Sequence, residues 1–398
     1  MLYFTRGYSW HDQRFLFGMV ALGCDVALLS LHSAPADRKR IGVPLGVQCL
    51  DDLGGVPEDR AVVLLRRRIA SFRPDVVHAG PITDCAYLAV SADMAPVVAC
   101  SWAFDVLFEA ANDFAMATRA IVALRKCAGL LVDCATVWQR CRELSGRDFA
   151  HCAIFPWGVD LRDEPDSSVR ERRRLVLGLT DAIAVLSTRS FESLYDLSTL
   201  IRGFSIARSQ DDRLRLLLLG DGTQRTALAE LVDSLALTEV VYFAGTVTRS
   251  EIGNWFEAAD VYASCALSDG SSVSLLEAMA FGLLPVVSAL PANREWVEPG
   301  ITGWLAACGD AVDFASALRK AATVSREMKH RMIAANRQIV QQRADWQENV
   351  KQLTALYEGV AGRTSIVYSN TASSAVGRGY SSDLRASNNP MTRETGKG

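Results

Sequence analysis

Two carboxylates in the second half of the chain have the spacing to hold both ends of an elongated ligand. Asp269 and Glu277 have seven residues between them, beginning with a glycine and two serines. An apolar run precedes Asp269 and a helical pattern contains Glu277, so free backbone N–H groups that bind anions are expected between the two acids. A nucleotide sugar has hydroxyls at its two ends and a diphosphate between them. The spacing therefore favours a nucleotide-sugar site, although each acid alone is also typical of an ordinary helix start or surface.

The segments around these acids predict a strand, a helix and a second strand. Residues 261–266 form a short apolar run typical of a strand. Residues 274–281 follow with helical spacing, and Ser271 or Ser272 is expected to cap that helix. Residues 283–289 are again apolar. A βαβ unit of this kind requires a parallel sheet.

Other candidate residues follow further predicted strands. Arg189 comes after a strand and could neutralise a departing diphosphate, although a surface arginine is the more frequent case. Gly220 and Gly222 follow an apolar strand, and a tight turn between a strand and a helix favours glycine in any case. Val247 follows the next strand, where backbone groups could meet a nucleotide base.

Two histidines are candidates for contacts with a reacting sugar. His11 lies beside Asp12 in a predicted loop near the N-terminus, and the two could share acid–base work or orient hydroxyls. His78 ends a predicted strand, where a buried histidine with a purely structural role is nearly as frequent. We expect catalytic roles for His11, His78, Arg189 and Asp269.

Composition and residue spacing give no sign of a nucleic-acid partner or a metal site. The chain has 398 residues, 49% of them hydrophobic, and a net charge of −3, which gives no sign of a nucleic-acid partner. Its ten cysteines form no CxxC pair, and no metal-ligand spacing or phosphate-loop signature occurs. Apolar runs of 18 residues and a signal-peptide pattern are both lacking, so we expect a cytoplasmic protein.

Strands and helices alternate in both halves of the chain, which predicts an α/β protein with two doubly wound, Rossmann-like domains facing a cleft. The segment 33–60 has no clear pattern, the charged segment 161–181 is typical of a linker, and a continuous helix is predicted over 326–357. The domain boundaries that we predict are 1–160 for the first domain, 161–181 for the linker, 182–342 for the second domain, and 361–398 for a disordered tail rich in Ser, Asn, Thr and Gly.

The central stretch also resembles a known family. Residues 268–280, SDGSSVSLLEAMA, resemble the donor-site signature of GT-B glycosyltransferases of the group 1 type (family 4), in which two acids separated by seven residues span the nucleotide sugar. Weaker motifs follow the order seen in that family, and the resemblance extends over roughly residues 1 to 360. These motifs are His11-Asp12, Val77-His78-Ala79-Gly80-Pro81, Ser101-Trp102, residues 155–160 and residues 217–222.

The resemblance implies retaining transfer of a sugar from a nucleotide-sugar donor to a saccharide or glycolipid acceptor. The C-terminal domain would hold the donor, the N-terminal domain the acceptor, and a helix over 343–360 would cross back onto the first domain. Neither a cofactor nor an obligatory metal is implied. Asp269 would contact the sugar, Glu277 the ribose and Arg189 the leaving group. The residues that would line the rest of the donor site are Gly270, Ser271, Ser272, Val273, Gly220, Gly222 and Val247.

The chain departs from the family pattern at two positions, and alternatives stay open. Asp269 stands where a glutamate is usual, and no lysine follows Arg189 at the usual distance of five or six residues. A non-catalytic nucleotide-sugar-binding subunit, a nucleotide-sugar epimerase and a phosphorylase are therefore retained as alternatives. The base, the sugar and the acceptor are not determined. The arginines at 66–68 form either a solvated helix face or a peripheral contact with the inner face of a membrane.

Overall fold

The computed structural model describes residues 1–32, 35–54, 56–160 and 167–362. Within these residues, thirteen strands form two wholly parallel sheets. The strands are β1 (Leu2–Thr5), β2 (Ala27–Ser30), β3 (Gln48–Cys49), β4 (Val77–Gly80), β5 (Val97–Cys100), β6 (Gly129–Val132), β7 (Cys152–Ile154), β8 (Ile183–Ser187), β9 (Leu214–Leu219), β10 (Val241–Gly245), β11 (Val261–Ser264), β12 (Leu284–Ser288) and β13 (Trp304–Ala306).

The first sheet has the strand order β3-β2-β1-β4-β5-β6-β7 and defines, with the helices that connect its strands, the N-terminal lobe. These helices are α1 (Trp10–Ala21), α2 (Pro35–Ile41), α3 (Glu58–Phe72), α4 (Tyr87–Ala92), α5 (Ala110–Asn112), α6 (Phe114–Lys126) and α7 (Ala135–Ser145). Two π-helical turns, Ile82–Ala86 and Asp105–Glu109, follow β4 and β5.

The second sheet has the order β10-β9-β8-β11-β12-β13 and defines the C-terminal lobe. The helices of this half are α8 (Ser167–Val176), α9 (Leu197–Arg208), α10 (Arg225–Ser234), α11 (Arg249–Ala258), α12 (Val273–Phe281), α13 (Pro291–Arg294), α14 (Ala311–Ala322) and α15 (Arg326–Arg343). Two further helices, α16 (Trp346–Asn349) and α17 (Gln352–Val360), end the described chain. In both sheets the strand order reverses at the first strand, so each lobe presents a switch point at the carboxyl ends of its strands.

Both sheets are buried on their two faces, which explains why the strands are apolar at nearly every position. In β1, Leu2 and Phe4 pack into one core and Tyr3 into the core on the opposite face. In β9, Leu216 and Leu218 face one core and Leu217 the other. The period of two is preserved, but helices on both sides replace the polar face that an open sheet would have.

The βαβ unit predicted around the two acids is confirmed, because β11, α12 and β12 follow one another and the two strands pair in parallel. Ser272 caps α12, and its hydroxyl accepts a hydrogen bond from the N–H of Leu275 at 3.4 Å. Gly282 ends the helix in the left-handed conformation with φ 84°. Glycine adopts this conformation without steric cost, which explains the abrupt end of the helix.

The chain passes twice between the lobes, and the two passages lie side by side. The N–H of Val159 donates to the carbonyl of Ala344 at 2.8 Å, and the N–H of Trp346 donates to the carbonyl of Val159 at 3.2 Å. Gly158 has φ 67°, and a side chain there would lie 2.8 Å from the same Ala344 carbonyl. From this point α16 and α17 pack on the N-terminal sheet, which confirms the predicted crossing helix.

Some predicted elements differ in the structure. The segment 33–60, predicted to be irregular, contains α2, β3 and the start of α3 in its described part. The continuous helix predicted over 326–357 is wrong, since α15 ends at Arg343 and the chain turns at Ala344 toward the other lobe. Residues 161–166 of the predicted linker and residues 363–398 of the predicted tail lie outside the described residues. The remainder of the linker segment contains α8.

The basic run that opens the second half is occupied by ion pairs within the protein. Arg170 and Arg174 of α8 pair with Asp260 at 2.7 and 3.0 Å, and Arg173 pairs with Glu257 at 2.8 Å. These three arginines of the segment predicted as a linker therefore pack against the C-terminal lobe. These pairs hold α8 against α11 and the start of β11.

We expect Leu353→Ala in α17 to lower the free energy of unfolding by about 2–5 kcal/mol, because the side chain is fully buried against the N-terminal sheet. Urea denaturation measures this difference. Leu175→Ala in α8 is the matched control, since that leucine is 71% exposed. An equal loss in the two variants would contradict the docking of α17.

Candidate functional site

An ion pair between a buried arginine and a partly buried aspartate lies between β8 and the start of α12. The guanidinium of Arg189 donates from one nitrogen to Asp269 at 2.5 Å and from another to the hydroxyl of Ser272 at 2.7 Å. Arg189 is only 8% exposed. The structure therefore brings together three of the predicted site residues at the carboxyl edge of the C-terminal sheet.

Burial governs the electrostatics of this pair. Burial raises the pKa of Asp269 above its ordinary value, and the charge of Arg189 offsets part of that rise. Three polar atoms at the end of β8 are buried without a partner in the described structure: the hydroxyls of Ser187 and Thr188 and Nε of Arg189. Such atoms are costly in a core and common in sites that bind polar ligands. This edge can therefore accept further hydrogen-bonding atoms.

Tyr195 lies in the segment where the family pattern described above would place a lysine. Its ring stacks on the guanidinium of Arg189, with the guanidinium carbon 4.1 Å from the ring centroid. A cation over an aromatic face is held electrostatically. Tyr195 therefore contributes no second positive charge, but its ring holds the guanidinium of Arg189 in place.

Gly220 and Gly222 shape the loop that carries Arg189. A side chain on Gly220 would lie 2.8 Å from the carbonyl of Arg189, and one on Gly222 would lie 2.7 Å from the carbonyl of Phe191. The N–H of Phe191 donates to the carbonyl of Asp221 at 3.0 Å. The two glycines thus permit a close backbone approach. Their contact with a donor stays a prediction, as does that of Val247, which is half-buried beside the core of this lobe.

Charged residues from both lobes surround Glu277. Its carboxylate accepts from Arg249 at 3.3 Å, Arg249 also pairs with Asp160 at 3.4 Å, and Asp160 pairs with Arg14 of α1 at 2.9 Å. Burial raises the pKa of Glu277, while Arg249 and Arg14 oppose that rise. The second acid of the motif therefore faces the other lobe, as a ligand crossing the cleft requires.

His11 lies at the same end of the cleft, but on a helix. It belongs to the first turn of α1 and not to a loop, and its ring lies 5.8 Å from the ring of Trp102. Burial, together with the charges of Arg14 and Arg249, lowers the pKa of His11 to about 4. The imidazole is therefore neutral near pH 7 and can bind a hydroxyl. Asp12 turns into the core, where it accepts from Tyr3 at 2.9 Å, so the two do not act as a pair.

His78 is not brought to this group. It has no exposed surface, its ring stacks on Tyr3 at 4.8 Å, and Nδ1 is 2.9 Å from the hydroxyl of Tyr357 on α17. Burial lowers the pKa of His78 to about 3. The prediction of a catalytic contact is not supported by this placement. The end of a strand is compatible with either a catalytic or a structural histidine, and here α17 covers His78.

The backbone at the start of α12 contains the four residues predicted to hold a diphosphate: Gly270, Ser271, Ser272 and Val273. The N–H of Ser271 donates at 2.9 Å to Asp133, which follows β6 in the other lobe. The hydroxyl of Ser271 is held separately, by Nε1 of Trp296 at 3.0 Å. A side chain on Gly270 would collide with the carboxylate of Asp133. An anion therefore already lies against this helix start.

Sequence reasoning missed four charged residues of the site: Arg14, Asp133, Asp160 and Arg249. Asp133 directly follows a strand, so the rule that singled out Arg189 could have found it. Arg249 lies on α11 of the same lobe as Glu277, whereas Asp160 in the connection and Arg14 on α1 join this group only through the packing of the two lobes. Across the described ranges, no three His, Cys, Asp or Glu side chains are grouped so that they could hold a metal ion.

Comparison with known proteins identifies the C-terminal lobe. The family model "Glycosyl transferases group 1" matches residues 170–339. The C-terminal lobe is thus similar to the group 1 glycosyl transferases. Structural comparison extends the likeness to both lobes: the Anabaena protein HepE in complex with UDP and glucose superposes with a TM-score of 0.75 at 16% identity, over 89% of this chain and 98% of that one. The fold is therefore GT-B, as the group 1 resemblance implied.

Curated relatives match over a shorter length. A D-inositol 3-phosphate glycosyltransferase of Kineococcus radiotolerans is 34% identical over 157 residues, which are 37% of this chain and 36% of that protein. An alpha-monoglucosyldiacylglycerol synthase of Streptococcus pneumoniae is 27% identical over 142 residues, 34% of this chain and 32% of that protein. The aligned part thus spans about a third of these two relatives.

Proposed function

We propose that this group 1 protein transfers a sugar from a nucleotide-sugar donor to a saccharide or lipid-linked acceptor, with retention of the anomeric configuration. The observation that carries the proposal is the arrangement around α12. Asp269 and Arg189 form a buried pair at its start, backbone N–H groups follow, and Glu277 faces the other lobe one turn later. The complex of the structurally similar HepE with UDP and glucose supports a nucleoside diphosphate sugar as the donor class.

The chemistry assigned to each group follows from its charge and position. In the transfer, the bond between the anomeric carbon and the phosphate oxygen breaks and its electron pair stays with the phosphate. The acceptor hydroxyl forms the new bond to that carbon, and its proton passes to the departing phosphate. Arg189 and the amides at the start of α12 offset the growing negative charge. Asp269 orients sugar hydroxyls, and Glu277 binds the ribose. An unprotonated ring nitrogen of neutral His11 accepts a hydrogen bond from a sugar hydroxyl.

The acceptor belongs to the N-terminal lobe in this proposal, and a membrane-bound acceptor is compatible with the described surface. Two of the three arginines at 66–68 already have partners: Arg66 donates to the carbonyl of Ala92 at 2.9 Å, and Arg68 pairs with Asp51 at 2.9 Å. These contacts favour a solvated helix face over a dedicated membrane patch. No helix in the described ranges combines the length and apolar character needed to span a membrane.

The experiment that tests the proposal separates binding from transfer. Thermal stabilisation by UDP-, GDP-, ADP- and dTDP-sugars identifies the donor, because a ligand that favours the folded state raises its Tm. Release of nucleoside diphosphate is then measured with and without a panel of saccharide and glycolipid acceptors, and NMR of the product gives its anomeric configuration. Stabilisation without acceptor-dependent release would favour the binding-subunit alternative, while conversion of the donor sugar alone would favour an epimerase.

We expect transfer to survive metal removal, because Arg189 and the helix amides supply the positive charge at the leaving group. Initial rates of transfer with excess EDTA should stay within about twofold of the rates with added Mg²⁺. A metal-dependent glycosyltransferase assayed in parallel provides the control. A rate that disappears with EDTA and returns with Mn²⁺ would contradict this expectation.

A further inference from the structure

The contact between Asp133 and α12 joins the two lobes at the point where the proposed donor carries its diphosphate. One carboxylate oxygen of Asp133 accepts the N–H of Ser271 at 2.9 Å. The other is buried without a hydrogen-bond partner in the described structure, and the residue is 4% exposed. A buried carboxylate oxygen without a partner is costly. The contact is therefore not explained by stability alone.

We infer that Asp133 is an internal competitor of the donor: its carboxylate holds the amide of Ser271 in the ligand-free protein and has to leave that amide when the diphosphate binds. The inference rests on the proposed function, since it concerns the same donor site. A carboxylate and a phosphate both seek the positive end of a helix and its free N–H groups. They cannot occupy one amide together, and their charges repel.

The local geometry is built for this contact. Gly270 leaves room for the Asp133 carboxylate, and any larger residue there would collide with it. Trp296 holds the hydroxyl of Ser271 on the other side, so the serine presents its N–H and not its side chain. The Asp133 carboxylate therefore binds a backbone N–H of the helix, as a phosphate would.

A second carboxylate makes the reverse contact between the lobes. Glu295, next to Trp296, accepts the N–H of Thr136 at 3.0 Å and the N–H of Ala135 at 3.2 Å, at the start of α7. Each lobe thus caps a helix of the other. Glu295 stabilises the closed arrangement but does not touch the diphosphate position, which makes it a matched control for Asp133.

Competition of this kind depends on pH. Burial, with a smaller contribution from the charge of Asp269, raises the pKa of Asp133 to about 7, although Cys134 and the N–H of Ser271 oppose part of the rise. Protonation removes the repulsion with the donor, so donor affinity is high below pH 7 and falls as the pH rises above it. The titratable and charged groups near Asp133 are Asp269 with its partner Arg189, Glu295, Asp105, Cys100, Cys134 and Cys141.

One of these neighbours also titrates near neutrality, so the experiment has to isolate Asp133. Burial raises the pKa of Asp105 to about 6, whereas burial holds the pKa of the three thiols above the ordinary value. Asp133→Asn keeps the volume and an oxygen that can accept the Ser271 N–H, but it has no charge to titrate. The difference between this variant and the wild type therefore reports Asp133 alone.

The test measures Kd by calorimetry at pH 6, 7 and 8 for UDP-, GDP-, ADP- and dTDP-glucose, whose diphosphate keeps the same charge throughout. Wild-type affinity should fall about tenfold from pH 6 to pH 8, as expected for one group with a pKa near 7. Asp133→Asn should bind about tenfold more tightly than wild type at pH 8 and about equally at pH 6. Glu295→Gln should keep the wild-type pH dependence.

The outcomes distinguish this inference from the proposed function. Two results would overturn the inference that Asp133 competes with the donor and would leave the donor site intact. One is wild-type binding without pH dependence; the other is that Asp133→Asn and Asp133→Ala bind no more tightly than wild type at pH 8. If none of the four nucleotide sugars binds wild type or any variant, the proposed function fails and the competitor fails with it. Tm values at each pH verify that every variant is folded.

Discussion

Arg189→Ala is expected to lower the rate of sugar transfer by about a hundred- to a thousandfold. Arg189 is the buried cation beside the start of α12, held by Asp269, Ser272 and the ring of Tyr195. A fixed positive group at a developing anion contributes a few kcal/mol to transition-state stabilisation, and the loss of one such group has effects of this size. Initial rates at saturating donor and acceptor measure the change.

The absence of the usual lysine makes the effect large, since Tyr195 contributes no charge that could compensate. Arg189→Lys should recover only part of the rate, because a lysine cannot hold Asp269 and Ser272 with one planar group. Arg202→Ala, an exposed position on α9, is the control for loss of an arginine as such. Since removal of Arg189 leaves the partly buried carboxylate of Asp269 without its charged partner, Tm values accompany the rates. A folded Arg189→Ala variant with a rate within threefold of wild type would exclude the assigned role.

Glu277→Ala is expected to weaken donor binding by about a hundredfold. The assigned contact is a carboxylate with the two ribose hydroxyls, and hydrogen bonds to charged groups contribute about 1.5–3 kcal/mol each. The loss of roughly 3 kcal/mol corresponds to about a hundredfold in Kd. Glu277→Gln retains one acceptor and should lose about tenfold.

A donor lacking a ribose hydroxyl tests the contact directly. In the wild type, the 2′-deoxyribose analogue should bind more weakly than the parent nucleotide sugar, whereas in Glu277→Ala the two should bind nearly alike, since the shared contact is already lost. Glu230→Ala, at an exposed site on α10, controls for the removal of a glutamate. Equal sensitivity to the analogue in wild type and Glu277→Ala would show that the carboxylate acts elsewhere.

Local patterns in the sequence were sufficient for the segment that we propose as the donor site. The spacing of Asp269 and Glu277, the cap at Ser272 and the stop at Gly282 are properties of one βαβ unit, and hydrogen bonds within a few residues fix them. Arg189 followed from its position after β8. The two-lobed fold followed from the alternation of strands and helices and from the family motifs, and the crossing helix followed from the resemblance.

The sequence was less informative where contacts with distant segments decide the environment of a residue. His11, beside Asp12, and His78, at the end of a strand, were both candidates for contacts with a sugar, and only the return of α17 covers His78. The predicted helix over 326–357 has favourable residues throughout. It breaks at Ala344 because the backbone there bonds to Val159 in the other passage between the lobes.

The amino-acid sequence by itself determined most of the strands, the helix that begins after Asp269, and the acids before and within that helix, because these depend on near neighbours and on hydrophobic period. Only the tertiary structure decided which charges face them from the opposite lobe. Asp133 and Glu277 are 144 positions apart in the chain. Glu277 belongs to α12, and Asp133 reaches the start of the same helix through its hydrogen bond with the N–H of Ser271. Such pairings depend on how the lobes close, and closure is set by the sum of many distant contacts.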